Sequence, residues 1–112
     1  MSKLVKLIVA SLCVVALNLY AGDIGFGTLK GVKLYDFGKN PRLLLIFNDD
    51  LQRADRSCAG QASFTFNEHS PEVIDRTMSI ALSAYMANKK VRVFSDRDSC
   101  EANFISIQEA YF

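Results

Sequence analysis

The chain has 112 residues, with 13 basic and 12 acidic side chains and one histidine, for a formal charge of +1. That is enough sequence for one small domain, and a balance this even leaves no basic excess to hold a phosphate backbone. Nucleic-acid binding is set aside on those grounds.

Residues Met1–Ala21 have the three parts of a secretory signal peptide. Lys3 and Lys6 open it, an uncharged apolar stretch runs from Leu7 to Leu17, and Leu19-Tyr20-Ala21 precedes Gly22-Asp23. Ala21 suits cleavage, whereas Leu19 is larger than the residue preferred two positions earlier, so the bond is placed only to within a few residues. The competing reading is an uncleaved anchor. A span needs roughly 20 apolar residues, and Leu7–Ala21 is shorter and broken by Ser11 and Asn18. A lipid-attached cysteine would follow a small residue, and Cys13 follows Leu12. The expectation is a secreted or periplasmic domain, residues 22–112, with no membrane span once the leader is cleaved.

Loss of Lys3 and Lys6 leaves 11 basic against 12 acidic side chains, a net charge of −1. Loss of Cys13 leaves two cysteines, Cys58 and Cys100. An even pair in an exported small domain favours a disulfide over two separate thiols. Two cysteines and one histidine are too few for a structural zinc site of the usual kind. No metal, cofactor or catalytic residue is expected.

Along the mature chain, Ile24 to Phe37 reads as one long strand. Gly25, Gly27 and Gly31 mark where it bends sharply or switches sheets. Gly38-Lys39-Asn40-Pro41 is a turn signal. Arg42 to Asn48 is a second strand whose run Leu43–Phe47 predicts burial on both faces, or one face in the core and one at a partner. Asp49 to Ser57 is a polar loop. Gln61 to Asn67 alternates, with Ala62, Phe64 and Phe66 on one face, and is a half-buried strand.

A helix follows. Ser70 is a good N-cap, Pro71 suits the first position, and Glu72 and Asp75 sit near the positive end of the dipole. Ile74, Met78, Ala81, Leu82 and Tyr85 form its expected apolar stripe, and Asn88-Lys89-Lys90 ends it. Val91 to Ser95 and Ala102 to Glu109 are the fourth and fifth strands, joined by a polar turn at Asp96–Ser99. Three strands, a helix and two strands match an α+β, mostly β architecture. The expected form is an OB-like five-stranded Greek-key barrel with its helix between strands 3 and 4.

Chemistry is sparse. His69, the one histidine, has no nucleophile in a recognisable setting and reads as a surface or capping residue. Asp49, Asp50 and Asp55 do not follow the alternating ligand pattern of a calcium loop. Gly22, Gly25 and Gly27 precede no helix and make no phosphate cradle. Aromatic residues are plentiful instead. Leu43–Phe47 and the terminal Tyr111-Phe112 are hard for so small a barrel to bury, which points either to a subunit interface or ligand groove or to plain core packing.

The stretch Met78-Ser79-Ile80-Ala81-Leu82-Ser83-Ala84-Tyr85, leading through Asn88-Lys89-Lys90-Val91-Arg92-Val93 to Cys100, carries a family resemblance. With the leader, the glycine-bent first strand and the cysteine before the third strand, it resembles a group of small secreted bacterial proteins. These are similar in turn to the receptor-binding B subunits of pentameric A–B toxins of the subtilase-cytotoxin and pertussis type. The resemblance covers roughly Cys58–Ile107 and implies an OB barrel that forms a ring and binds surface glycans. No sugar-binding residue carries over.

The leading expectation is therefore a non-enzymatic binding protein with a carbohydrate or protein ligand, forming a homo-oligomer through Leu43–Phe47 or the last two strands. The alternative is a monomeric periplasmic interaction module, such as an inhibitor of a host hydrolase acting through Asp49–Ser57. A small hydrolase is the third.

Overall fold

The computed structural model describes residues 22–111. The leader expected at Met1–Ala21, with Cys13, lies outside the described residues, as does Phe112. The elements in order are β1 (Gly22–Gly27), β2 (Leu29–Tyr35), β3 (Arg42–Phe47), a short 3-10 turn (Arg56–Cys58), β4 (Gln61–Thr65), α1 (Pro71–Ala87), β5 (Val91–Ser95) and β6 (Phe104–Ile107). They form two three-stranded sheets, β1-β5-β6 and β2-β3-β4, with every strand pair antiparallel. The class is mixed α+β, mostly β.

The strand count differs from the expected five. Ile24–Phe37 is not one strand: it divides at Thr28, and its halves join different sheets, so α1 follows the fourth strand instead of the third. No continuous ladder closes a barrel. One parallel bridge, Ser63 to Glu101, is the strand-type pairing between the sheets among the described residues. Contacts from the loop after β3 hold the division. The Thr28 N–H and Oγ1 both donate to Asp50, at 3.2 and 3.0 Å, and Asn48 Nδ2 donates to Thr28 Oγ1 and to the Leu29 carbonyl. Loop side chains thus satisfy the Thr28 N–H and the Leu29 carbonyl, and the Asn48 N–H donates to the Thr28 carbonyl.

The same loop lies along β1, where Phe26 and Gln52 exchange backbone hydrogen bonds of 2.9 and 2.8 Å. A Cβ on Gly27 would lie 3.1 Å from Leu51 Cα, and one on Gly25 2.4 Å from Leu51 Cδ1. These glycines permit close approach of the loop. Register shifts between Asp23 and Gly25 and between Leu29 and Gly31 reverse the side-chain parity twice.

The core holds Ile24, Leu29, Leu43, Leu45, Phe47, Phe64, Ile74, Val91 and Val93. Leu44, on the opposite side of β3, is also only 8% exposed. The run Leu43–Phe47 is therefore covered by its own chain, which leaves little of it free for a subunit contact.

α1 begins as expected, with Ser70 accepting from the Val73 N–H. It ends at Asn88, whose left-handed backbone (φ 54°) caps the last turn. Its buried face is Ile74, Thr77, Ala81 and Ala84, while Leu82 and Tyr85 of the expected stripe are 40% and 47% exposed. The small side chains at 77, 81 and 84 let the helix pack closely on β2 and β6. Cys58 and Cys100 form a disulfide that ties the turn before β4 to the segment before β6. Among the described residues no helix is long and apolar enough to cross a membrane.

Candidate functional site

The outer face of the β1-β5-β6 sheet gathers a set of interacting polar and aromatic side chains. In β5, Val91 and Val93 are buried in the core, which turns Arg92 and Phe94 outward. The shift after Asp23 aligns Asp23 with Phe94 and Phe26 with Arg92 on that same face. Phe104 of β6 sits opposite Phe94, with ring centroids 6.2 Å apart in an edge-to-face arrangement.

Arg92 is the centre. Its Nε donates to Asp23 Oδ1 at 2.7 Å, and both side chains are largely buried. Its guanidinium carbon lies 4.7 Å from the Tyr111 ring centroid and 5.7 Å from those of Phe94 and Phe104. The Tyr111 hydroxyl donates to Asp23 Oδ2. Arg53, from the loop beside β1, stacks on Tyr111 at 3.9 Å.

The C-terminal segment thus folds back over part of the sheet. Phe26 lies outside the main core yet is only 3% exposed, because Tyr111 meets it edge-on at 6.0 Å and Lys90 lies over its ring. The rest of the face stays open. Arg92, Phe94 and Phe104 line a depression of about 170 Å³, and Phe104 is 42% exposed.

The hydrogen bond to Asp23 holds the Arg92 pKa above the usual guanidinium value, against the opposing effect of desolvation. Donation to Asp23, and then desolvation, raise the Tyr111 phenol. At neutral pH the face presents the Arg92 guanidinium paired with the Asp23 carboxylate, the Tyr111 phenol and the Phe94 and Phe104 rings.

His69 is neither a surface residue nor a cap. Its Nε2 donates to the Ala102 carbonyl at 2.8 Å and lies 3.3 Å from Glu101 Oε1, and its side chain is mostly buried. Glu101 Oε1 also accepts from the Thr65 N–H and Oγ1, at 2.9 and 3.0 Å. Ser63 Oγ lies 3.3 Å from both Glu101 Oε2 and the Cys100 carbonyl. The nearby hydroxyls face Glu101 instead of the imidazole, and the cluster braces the bridge between the sheets.

The loop aspartates are separated. Asp50 serves Thr28. Asp55 caps the 3-10 turn by accepting from Ser57 Oγ and N–H, which lowers its pKa. Asp49 is exposed. Among the described residues no group of three or more His, Cys, Asp or Glu side chains is placed to hold a metal ion. In the β5–β6 turn, Arg97 reaches Glu68 at 2.9 Å.

In the sequence, Phe94 and Phe104 belong only to a general aromatic excess, whereas Tyr111 is singled out with Phe112 as hard to bury. Asp23, Arg53 and Arg92 did not stand out, although the alternation Val91-Arg92-Val93-Phe94 carries the signal for two of the six. Comparison with known protein families, with characterised proteins and with solved structures gives no match to this chain.

Proposed function

We propose that the chain is an exported, non-enzymatic binding protein whose ligand site is the Arg92–Phe94–Phe104 depression, and that the ligand is a carbohydrate. A half-exposed ring beside a fixed cation is the observation that carries this reading. Aromatic faces stack on the C–H surface of a sugar, and a guanidinium donates to its hydroxyls. Small-ligand sites combine apolar walls with a few placed polar groups in this way.

The two sheets are read as an open relative of the OB barrel. β1 and β2 serve as one bent strand shared between them, and α1 follows the third strand when these are counted together. The Ser63–Glu101 bridge falls where the strand before the helix meets the segment leading into the last strand. That arrangement, with the leader read at Met1–Ala21, is what supports kinship with the B-subunit-like secreted proteins. A ring of subunits would then use β2 and β6, each paired on one side only. Leu43–Phe47 is the weaker interface because it is already covered. A free inhibitory loop at Asp49–Ser57 is less favoured, since Asp50 and Gln52 fasten it to Thr28 and Phe26.

The test is an oligosaccharide array probed with the disulfide-intact chain from Gly22 and with its Phe104→Ala variant. The proposal expects a selective signal that the variant loses while its melting temperature holds. No selective signal, or an equal signal from the variant, would refute it. Light scattering across a dilution series tests the ring, which a monomer at every concentration would exclude.

A further inference from the structure

A second surface lies on the other sheet. The β2–β3 hairpin carries Lys30, Lys33, Lys39 and Arg42 against the single Asp36, a net +3 within a described chain of net −1, so the remaining described residues are at −4. The three lysines are exposed, and none of the four cations makes an ion pair among the described residues.

At the tip, where Gly38 takes φ +81° to make the turn, Phe37 is 74% exposed. Its ring meets Tyr35 edge-on at 5.8 Å, and Arg42 stacks on Tyr35 at 4.5 Å while donating to the Asn40 carbonyl at 3.2 Å. Leu34, also 49% exposed, is on the same strand. The tip is thus a braced aromatic–cation ladder with an apolar end and a basic flank.

We propose that this hairpin docks on an anionic phospholipid surface, with Phe37 entering the headgroup boundary and Lys33, Lys39 and Arg42 facing the lipid phosphates. Peripheral membrane contacts combine a buried apolar side chain with attraction between basic residues and acidic lipids. The hairpin supplies both, and its charge is opposite to that of the remaining chain, which fixes the docking orientation. The site is separate from the Arg92–Phe94–Phe104 face, and each proposal can fail without the other.

The experiment is co-sedimentation of the disulfide-intact chain from Gly22 with large phosphatidylcholine vesicles, with and without phosphatidylglycerol. Binding is expected only with phosphatidylglycerol, and added salt should weaken it as screening shortens the reach of the charges. Lys33→Gln with Lys39→Gln should weaken partition roughly 25-fold, at about five-fold per charge. Phe37→Ala should weaken it on the order of ten-fold through lost apolar burial. Phe37 is too exposed for its loss to unfold the chain, and a thermal melt checks this. Absence of phosphatidylglycerol-dependent sedimentation overturns the proposal. So does binding that Phe37→Ala leaves at full strength, which would identify simple attraction to a polyanion.

Discussion

Replacing both disulfide cysteines, Cys58→Ala with Cys100→Ala, should remove a large share of the stability of this domain. The two are 42 residues apart. Cross-linking a loop of that size restricts the unfolded chain by about 4 kcal/mol at 25 °C in the loop-entropy description. A small domain has only about 5–15 kcal/mol in total. At about 4–8 °C per kcal/mol for a domain of this size, the melting temperature should fall by roughly 15–30 °C. The position sharpens the expectation, because Cys100 directly precedes Glu101, whose bridge to Ser63 is the ladder contact between the sheets. Guanidinium titrations of the oxidised chain and the double variant, followed by far-ultraviolet circular dichroism, measure the difference. The variant should also show a steeper denaturant dependence as its unfolded state expands. A loss below about 1 kcal/mol would refute the reasoning, because it would mean that the unfolded chain is not constrained by this link.

Gly27→Ala should cost about 1–3 kcal/mol by forcing the Leu51 backbone away, since the new Cβ would lie 3.1 Å from Leu51 Cα. Gly31→Ala, with its nearest contact at an ordinary 3.5 Å, should be neutral or mildly stabilising, and equal thermal shifts for the two would contradict the close-approach role. Ala81→Leu should destabilise by about 1–3 kcal/mol through overpacking, whereas Leu82→Ala should change stability by less than about 1 kcal/mol; the reverse order in chemical denaturation would restore the stripe expected from sequence. The Tyr111 phenol has a pKa raised above its ordinary 10.0 by donation to Asp23. Its contribution is therefore complete below the unfolded value and fades as pH rises through the folded one. Tyr111→Phe should flatten the alkaline fall in melting temperature relative to the parent, and an unchanged slope would count against that hydrogen bond.

The strand and helix positions were legible where one local rule dominates. Alternation marked a strand over Gln61–Asn67, which the structure forms over Gln61–Thr65, and Ser70-Pro71 with Asn88 marked both ends of α1. The division at Thr28 was not legible, because two register shifts scramble the parity of Ile24–Leu34 and the decisive hydrogen bonds come from Asn48 and Asp50. The buried face of α1 was legible in part: Ile74 and Ala81 of the expected stripe are buried and Met78 packs against the core. Hydropathy also favours Leu82 and Tyr85, but close packing on β2 and β6 selects the small side chains Thr77 and Ala84 instead. At the candidate site, alternation orients Arg92 and Phe94. Nothing local brings Asp23 to residues 69 and 88 positions away: the β1–β5 pairing brings it to Arg92, and the return of the C-terminal segment brings it to Tyr111.

The most direct measurement is a proton–nitrogen correlation spectrum of the labelled chain from Gly22, titrated with the strongest oligosaccharide from the array. A carbohydrate site on the outer face of the first sheet predicts saturable shifts centred on Arg92–Phe94 and Phe104–Ser106, with the β2–β3 hairpin unmoved. Shifts centred on another surface, or no saturable shift at any residue, would contradict it.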